Sequence, residues 1–218
     1  MATRASRGCD VGCWHCIVPA MDGKEYTFLP DFPVRPILCD DNLSALPMDY
    51  QKFVVKRYQD EGVPLLDANS GFEPKTFTDE VLSIWKPINR GPWRFGYDEI
   101  GERDDVLRVL KMLKGVPGKK RVYVLIGNEP IDVCMQRIRE VIENGGEPHV
   151  QPLIKLNSLD KAPWIRHDWT LQKLRDLSRW ANTFMFRWLP FDEYDKNKKG
   201  KLKDVPFNAT TGLFEVMT

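Results

Sequence analysis

The sequence predicts an α/β protein, a partial (open) TIM-like barrel of about six β/α units with a C-terminal helix. Three observations predict it. Short apolar runs alternate with longer stretches of helical period. The runs are continuously apolar, as in parallel strands covered on both faces. Polar residues gather where the runs end: Cys9, then Asp40 and Asn42, Asn69, Asp98, and finally Asn128 and Glu129. Six strands are too few for the eight-stranded barrel, and in this architecture the chemistry collects at the C-terminal strand ends. Each such Asp or Asn also reads as an ordinary helix cap.

The elements follow in order. A short strand over 3–7 runs into a cysteine-rich loop. The run 36–39 reads as a buried strand that ends at Asp40-Asp41-Asn42. Residues 49–60 carry Tyr50, Phe53, Val54 and Tyr58 at helical spacing. A strand over 63–67 ends at Asn69-Ser70-Gly71, and a helix over 76–85 aligns Phe77, Val81, Leu82 and Trp85. A strand over 93–97 ends at Asp98, and a helix over 104–113 carries Val106, Leu107, Leu110 and Leu113. The strongly apolar strand 121–126 ends at Gly127. Pro130 suits a first helical position, and the helix 131–143 stops at Gly145-Gly146. A sixth strand spans 149–154, and a long helix over 169–188 aligns Leu171, Leu174, Leu177, Ala181, Phe184 and Trp188. The expected division is a barrel over 1–190 and a charged C-terminal tail over 191–218.

Composition narrows the function. Lys plus Arg number 32 against 31 Asp plus Glu, a net charge of +1 that does not point to an architectural nucleic-acid binder. No apolar run approaches the roughly 18 residues of a membrane span. No apolar stretch precedes the first cysteine, so the expectation is a cytoplasmic chain without a signal peptide or membrane contact.

The five cysteines are unevenly placed. Cys39 and Cys134 stand alone in apolar surroundings and read as small core hydrophobes. Cys9, Cys13 and Cys16 lie together, interleaved with Asp10, Gly12, Trp14 and His15. No regular element points all three into one core, so they belong on a loop that wraps something. An odd cysteine number argues against a disulfide framework.

The spacing Cys9-x-x-x-Cys13-x-x-Cys16, directly after the first strand, resembles the signature of the radical S-adenosylmethionine (SAM) superfamily. The wider run Ser6-Arg7-Gly8-Cys9-Asp10-Val11-Gly12-Cys13-Trp14-His15-Cys16-Ile17-Val18-Pro19, with Gly23 and Glu25, looks most like the methylthiotransferase version. The blocks Tyr123-Val124-Leu125-Ile126-Gly127 and Pro152 resemble uncharacterised bacterial and phage radical SAM proteins, and the resemblance covers roughly 3–195.

The resemblance implies a [4Fe–4S] cluster on Cys9, Cys13 and Cys16. Its fourth iron would be chelated by SAM. Reductive cleavage of SAM would then yield a 5′-deoxyadenosyl radical that abstracts a substrate hydrogen. It also implies an electron donor such as flavodoxin or ferredoxin. By position, Asp40 or Asn42 would accept the methionine ammonium, and Asn69, Arg94 and Asp98 would meet ribose or carboxylate. Leu125 and Gly127 would meet adenine, and His15 would pack nearby where the family usually has an aromatic residue. The Gly-Gly-Glu strand end is absent. The acidic residue after the fifth strand would fall at Pro130, with Glu129 one place early. The methylthiotransferases carry two further domains for which this chain has no room, so a second cluster is not expected. No segment specifies the substrate.

Two other readings share these residues. Cys13-Trp14-His15-Cys16 is a C-x-x-C pair, as in a thioredoxin-like dithiol oxidoreductase, although Cys9 has no role there. Three cysteines and one histidine also suit a structural zinc-binding module, although zinc ligands usually come as two separated pairs. The run from Asp195 begins like a calcium loop, but Lys199 and Pro206 stand where oxygen ligands belong. His149 and His167 lack metal-ligand spacing and read as structural or exposed.

Overall fold

The computed structural model describes residues 1–154 and 162–194, together with short strands at 207–208 and 213–214. The basic run from Lys196 to Lys203 and most of the expected tail lie outside the described residues. The chain is mixed α/β with parallel sheets, and the described residues form no closed barrel.

The elements are β1 (Ala2–Thr3), β2 (Ser6–Arg7), α1 (Val18–Met21), β3 (Thr27–Phe28), β4 (Ile37–Leu38), α2 (Met48–Asp60) and β5 (Asp67–Ala68). Then follow α3 (Asp79–Trp85), β6 (Trp93–Tyr97), α4 (Arg103–Met112), β7 (Lys120–Ile126), α5 (Ile131–Glu143), β8 (Glu147–Pro152) and α6 (Leu171–Asn182). A last antiparallel pair joins β9 (Phe207–Asn208) and β10 (Leu213–Phe214). Strands β1, β4 and β5 form one parallel sheet, and β6, β7 and β8 another. Parallel bridges Leu65–Asn89 and Phe72–Phe95 link their neighbouring edges. Six strands therefore follow in chain order, joined by helical crossovers as neighbouring parallel strands require.

Helix ends follow local chemistry. Thr78 caps α3 by accepting from the Val81 N–H at 3.3 Å, and Thr170 caps α6 by accepting from Lys173 N–H at 3.1 Å. Val122, Val124, Ile126 and Val150 point to the helical side of β7 and β8 and pack with Cys134, Ile138, Leu174 and Leu177. A second core joins Phe72, Phe77, Trp85, Trp93 and Phe95 to Leu38, Val54 and Leu65. No helix of the described residues is long and apolar enough to cross a membrane.

Two elements depart from the sequence reading. The single strand expected over 3–7 is two: β1 pairs parallel with β4, and β2 turns away to pair antiparallel with β3. The break falls where buried Asp40 reaches between them, accepting from Ala5 N–H at 2.7 Å and Ser6 Oγ at 2.6 Å. The long C-terminal helix stops at Asn182. The Asn182 amide accepts from Val150 N–H at 2.7 Å and donates to Val150 O at 2.9 Å, docking on the free edge of β8. Phe184 then takes a left-handed conformation (φ 59°) before a single 3-10 turn over Met185–Arg187.

Asp40 carries a pH prediction. Burial pushes its carboxyl up to about 6, against the hydrogen bonds from Ser6 and Ala5. The folded state then binds this proton more tightly than the unfolded state. Its stabilising contribution is present below about pH 4 and is lost as pH rises through about 6, an effect of about 3 kcal/mol. Asp40→Asn keeps a hydrogen-bonding shape without ionising. Urea unfolding at both ends of that window is expected to show the variant gaining stability relative to wild type as pH rises. A constant difference would contradict this.

Candidate functional site

The cysteine loop leaves β2 at Gly8 and returns through α1 to β3. Gly8 adopts φ +89°, and a Cβ there would lie 2.1 Å from Glu25 O. Its N–H donates to Asp41 Oδ2 at 2.7 Å, and Cys9 N–H donates to Gly23 O at 3.3 Å. Arg4 ties the loop's base to β4 by ion pairs to Asp22 at 2.8 Å and Asp41 at 3.1 Å. The spacing of the thiols is thus held by a hairpin, a positive-φ glycine and a carboxylate from the next strand. Gly8→Ala is expected to cost about 1–3 kcal/mol by forcing this backbone apart. The urea midpoint measures that cost. An unchanged midpoint would show that Gly8 does not set the loop.

Cys9, Cys13 and Cys16 are half-buried, and Cys16 lies near enough to both Cys9 and Cys13 to raise the proton affinity of each. Burial is the first cause at both Cys9 and Cys13, and Cys13 is pushed up to about 12 with the help of Glu73 and Asp98. Asn42 Nδ2 points at Cys9 Sγ from 3.9 Å, and Val18 N–H points at Cys16 Sγ from 3.4 Å. Among the described residues, no three His, Cys, Asp or Glu side chains gather as ligands of a single metal ion.

The other side of the loop meets the end of β6. His15 Nε2 lies 3.3 Å from Asp98 Oδ2, and that hydrogen bond holds the imidazole above its ordinary proton affinity despite partial burial. Trp14 donates to Glu99 and packs against Trp164 with ring centroids 5.7 Å apart and planes tilted by 37°. Glu73 and Asp98 give Cys13 an acidic surround, and Glu102 lies near His15, Asp98 and Glu73. Burial raises both glutamates, and Glu102 rises to about 7 with Asp98 next to it.

The strand-end candidates separate by placement. Asp40 is fully buried, and both its oxygens serve the junction of β1 and β2, so it is not free to receive a ligand's ammonium. Asn42 is nearly buried, accepts from Ala45 N–H at 3.3 Å and faces Cys9. Asn69 is exposed, and its side chain makes no hydrogen bond among the described residues. Arg94 is committed to Asp67 through two bonds of 2.7 and 2.8 Å and also donates to Tyr123 Oη. Leu125 is half-buried, and its carbonyl accepts from Arg137. Gly127 has φ +100°, and a Cβ there would lie 2.8 Å from Trp164 O. Glu129 pairs with buried Arg137 at 2.9 Å and accepts from Ile100 N–H at 3.1 Å.

Sequence reasoning did not single out Glu73, Glu102 or Arg137. Glu73 follows the third strand end within four residues of Asn69, a signal that was legible. Glu102 and Arg137 sit in helical stretches among many other charges, and only burial distinguishes them.

No protein-family model matches this chain. No curated protein matches it either. The case for its chemistry therefore rests on the residues themselves.

Proposed function

We propose that this protein is a radical SAM enzyme acting on a substrate that its sequence does not specify. The observation that supports this best is the loop itself. Three half-buried thiols within electrostatic reach of one another follow the first strand at the spacing Cys9-x-x-x-Cys13-x-x-Cys16. The donor set fits a [4Fe–4S] cluster: three thiols on one loop, N–H groups near two of the sulfurs, and no fourth cysteine in the loop. A half-buried Cys13 thiol near Glu73 and Asp98 calls for a cationic partner when it ionises. When bound there, the cluster would supply the electron that cleaves SAM to a 5′-deoxyadenosyl radical.

The chain's own groups would do the positioning. Cys9, Cys13 and Cys16 hold the iron, and Asn42 orients Cys9. Glu73 and Asp98 offer anionic acceptors beside Cys13 for the charged amino group of SAM, whose sulfonium is also cationic. Leu125 offers an apolar contact and Gly127 a tight turn at the end of β7. Asn69 remains a rim contact, while Arg94 would act with Asp67 rather than alone. Six parallel strands in chain order are read as a partial barrel with this loop at its rim. An electron donor such as flavodoxin or ferredoxin and a cytoplasmic setting accompany this reading.

A dithiol oxidoreductase is less well supported. Its reactive thiol needs lowered proton affinity, whereas Cys13 is raised. The deciding experiment is anaerobic reconstitution with iron and sulfide, then SAM and dithionite, assaying 5′-deoxyadenosine. A brown protein that forms 5′-deoxyadenosine supports the proposal. A colourless protein that retains zinc, or one that turns over dithiols without iron, would replace it.

A further inference from the structure

The sheet of β6, β7 and β8 has two unlike faces. Val122, Val124, Ile126 and Val150 are buried under the helices. The opposite face carries Arg94 and Gly96 on β6, Arg121 and Tyr123 on β7, and Glu147 and His149 on β8. A parallel sheet covered on both faces is ordinarily apolar throughout, so this polar face has to be explained.

Most of its charges are already matched. Asp67 neutralises Arg94, and Glu147 pairs with Lys119 at 3.5 Å and Arg187 at 3.9 Å. Arg121 is different. It lies in register between Arg94 on β6 and Glu147 on β8, is only half-buried, and makes no hydrogen bond or ion pair among the described residues, Glu147 being turned to Lys119 and Arg187. Two guanidinium groups on adjacent strands repel each other. His149 lies beside Tyr123 in register, with ring centroids 5.1 Å apart, and neither imidazole nitrogen has a hydrogen-bond partner among the described residues. The Tyr123 hydroxyl accepts from Arg94 and keeps its own proton to donate. Between these donors and β5, Gly96 contributes no side chain.

We propose that Arg121, His149 and Tyr123 form a subsite for the anionic group, carboxylate or phosphate, of a small-molecule substrate. This rests on the radical SAM reading for the chemistry at the rim. The geometry connects the two. Asp98, which touches His15 of the cysteine loop, is the residue just past β6, two beyond Gly96, and its carboxylate lies 3.3 Å from where a Cβ on Gly96 would be. Two residues make one strand repeat, about 7 Å. An anion held at the Tyr123–His149 level leaves the rest of a small molecule directed at the rim. Burial together with the charges of Arg121 and Arg94 lowers the proton affinity of the His149 ring, and an anion there would offset that field.

The probes are inorganic phosphate and acetate, each titrated at neutral pH into protein with ring-labelled histidine. The three histidines are assigned by substitution. The His149 signal is expected to move saturably with at least one probe, while exposed His167 stays still. Arg121→Gln should weaken that binding by roughly tenfold or more, as expected for losing a charge-assisted bond. Arg121→Lys should retain part of it and guards against a folding defect. Which probe binds tells phosphate from carboxylate. No saturable shift with either probe, or equal binding by Arg121→Gln, overturns the subsite. Iron content and 5′-deoxyadenosine formation are measured on the same protein. Their failure with anion binding intact would sink the radical reading and leave the anion site standing.

Discussion

Cys13→Ala is expected to yield a folded chain that holds no intact cluster and forms no 5′-deoxyadenosine. Cys13 is the middle donor of the loop, and its thiol meets Cys9, Cys16, Glu73 and Asp98 within electrostatic reach. Two remaining thiols leave two irons without protein ligands, and no other cysteine belongs to the loop. Removing one half-buried sulfur should change stability by less than about 1 kcal/mol. Lost activity can then be separated from lost structure by urea unfolding of the metal-free protein. Cys39→Ala is the control. It lies at the end of β4, where Arg4 bonds its carbonyl rather than its sulfur, so iron content should remain at the wild-type level. An unchanged cluster in Cys13→Ala would remove the central assignment.

The second large effect is expected at a residue far from any cysteine of the loop. Arg137→Met should destabilise the protein by about 3–5 kcal/mol, the usual result of breaking a buried ion pair from one side. Arg137 is fully buried on α5, although its neighbours on that helix are mostly apolar. Its guanidinium donates to Tyr97 O at the end of β6 and to Leu125 O near the end of β7, and it pairs with Glu129 beyond β7. One side chain thus clamps the ends of two strands and the following turn. Methionine fills similar space but leaves two carbonyls and a carboxylate facing an apolar group. Adding Glu129→Gln should recover part of the loss, because the stranded charge is then gone. A loss below about 1 kcal/mol in Arg137→Met would show that the clamp is not structural. Displacement of Asp98 and Asn128 should also slow SAM cleavage in this variant, since Asn128 Nδ2 holds Asp98 O at 3.0 Å.

Helices were the most legible part of the chain. The expected helix over 131–143 is α5, and that over 49–60 begins one residue earlier as α2. Both carry their apolar stripe and end signals within a few turns, so neighbouring residues contain the information. Strand β6 was legible for a similar reason, as an aromatic run bounded by Pro92 and Asp98. The two elements that differed depend on distant partners. Asp40 interrupts the first strand from 35 residues away. Asn182 ends α6 by bonding Val150, 32 residues earlier, while Phe184 and Trp188 continue the helical period in sequence.

The candidate site divides along the same line. Cysteine spacing, the order of six strand segments and the clustering of polar residues at their ends are short-range properties, written in adjacent residues and readable before folding. Which of those polar residues are available is not. Asp40 and Arg94 look as free in the sequence as Asn42 and Asp98, yet the fold commits the first to backbone and Ser6 and the second to Asp67. It also brings His15 to Asp98 across 83 positions and leaves Arg121 without an ion pair among the described residues. A side chain's chemistry is local, but its burial and its partner depend on every segment packed around it. Only the folded chain decides them.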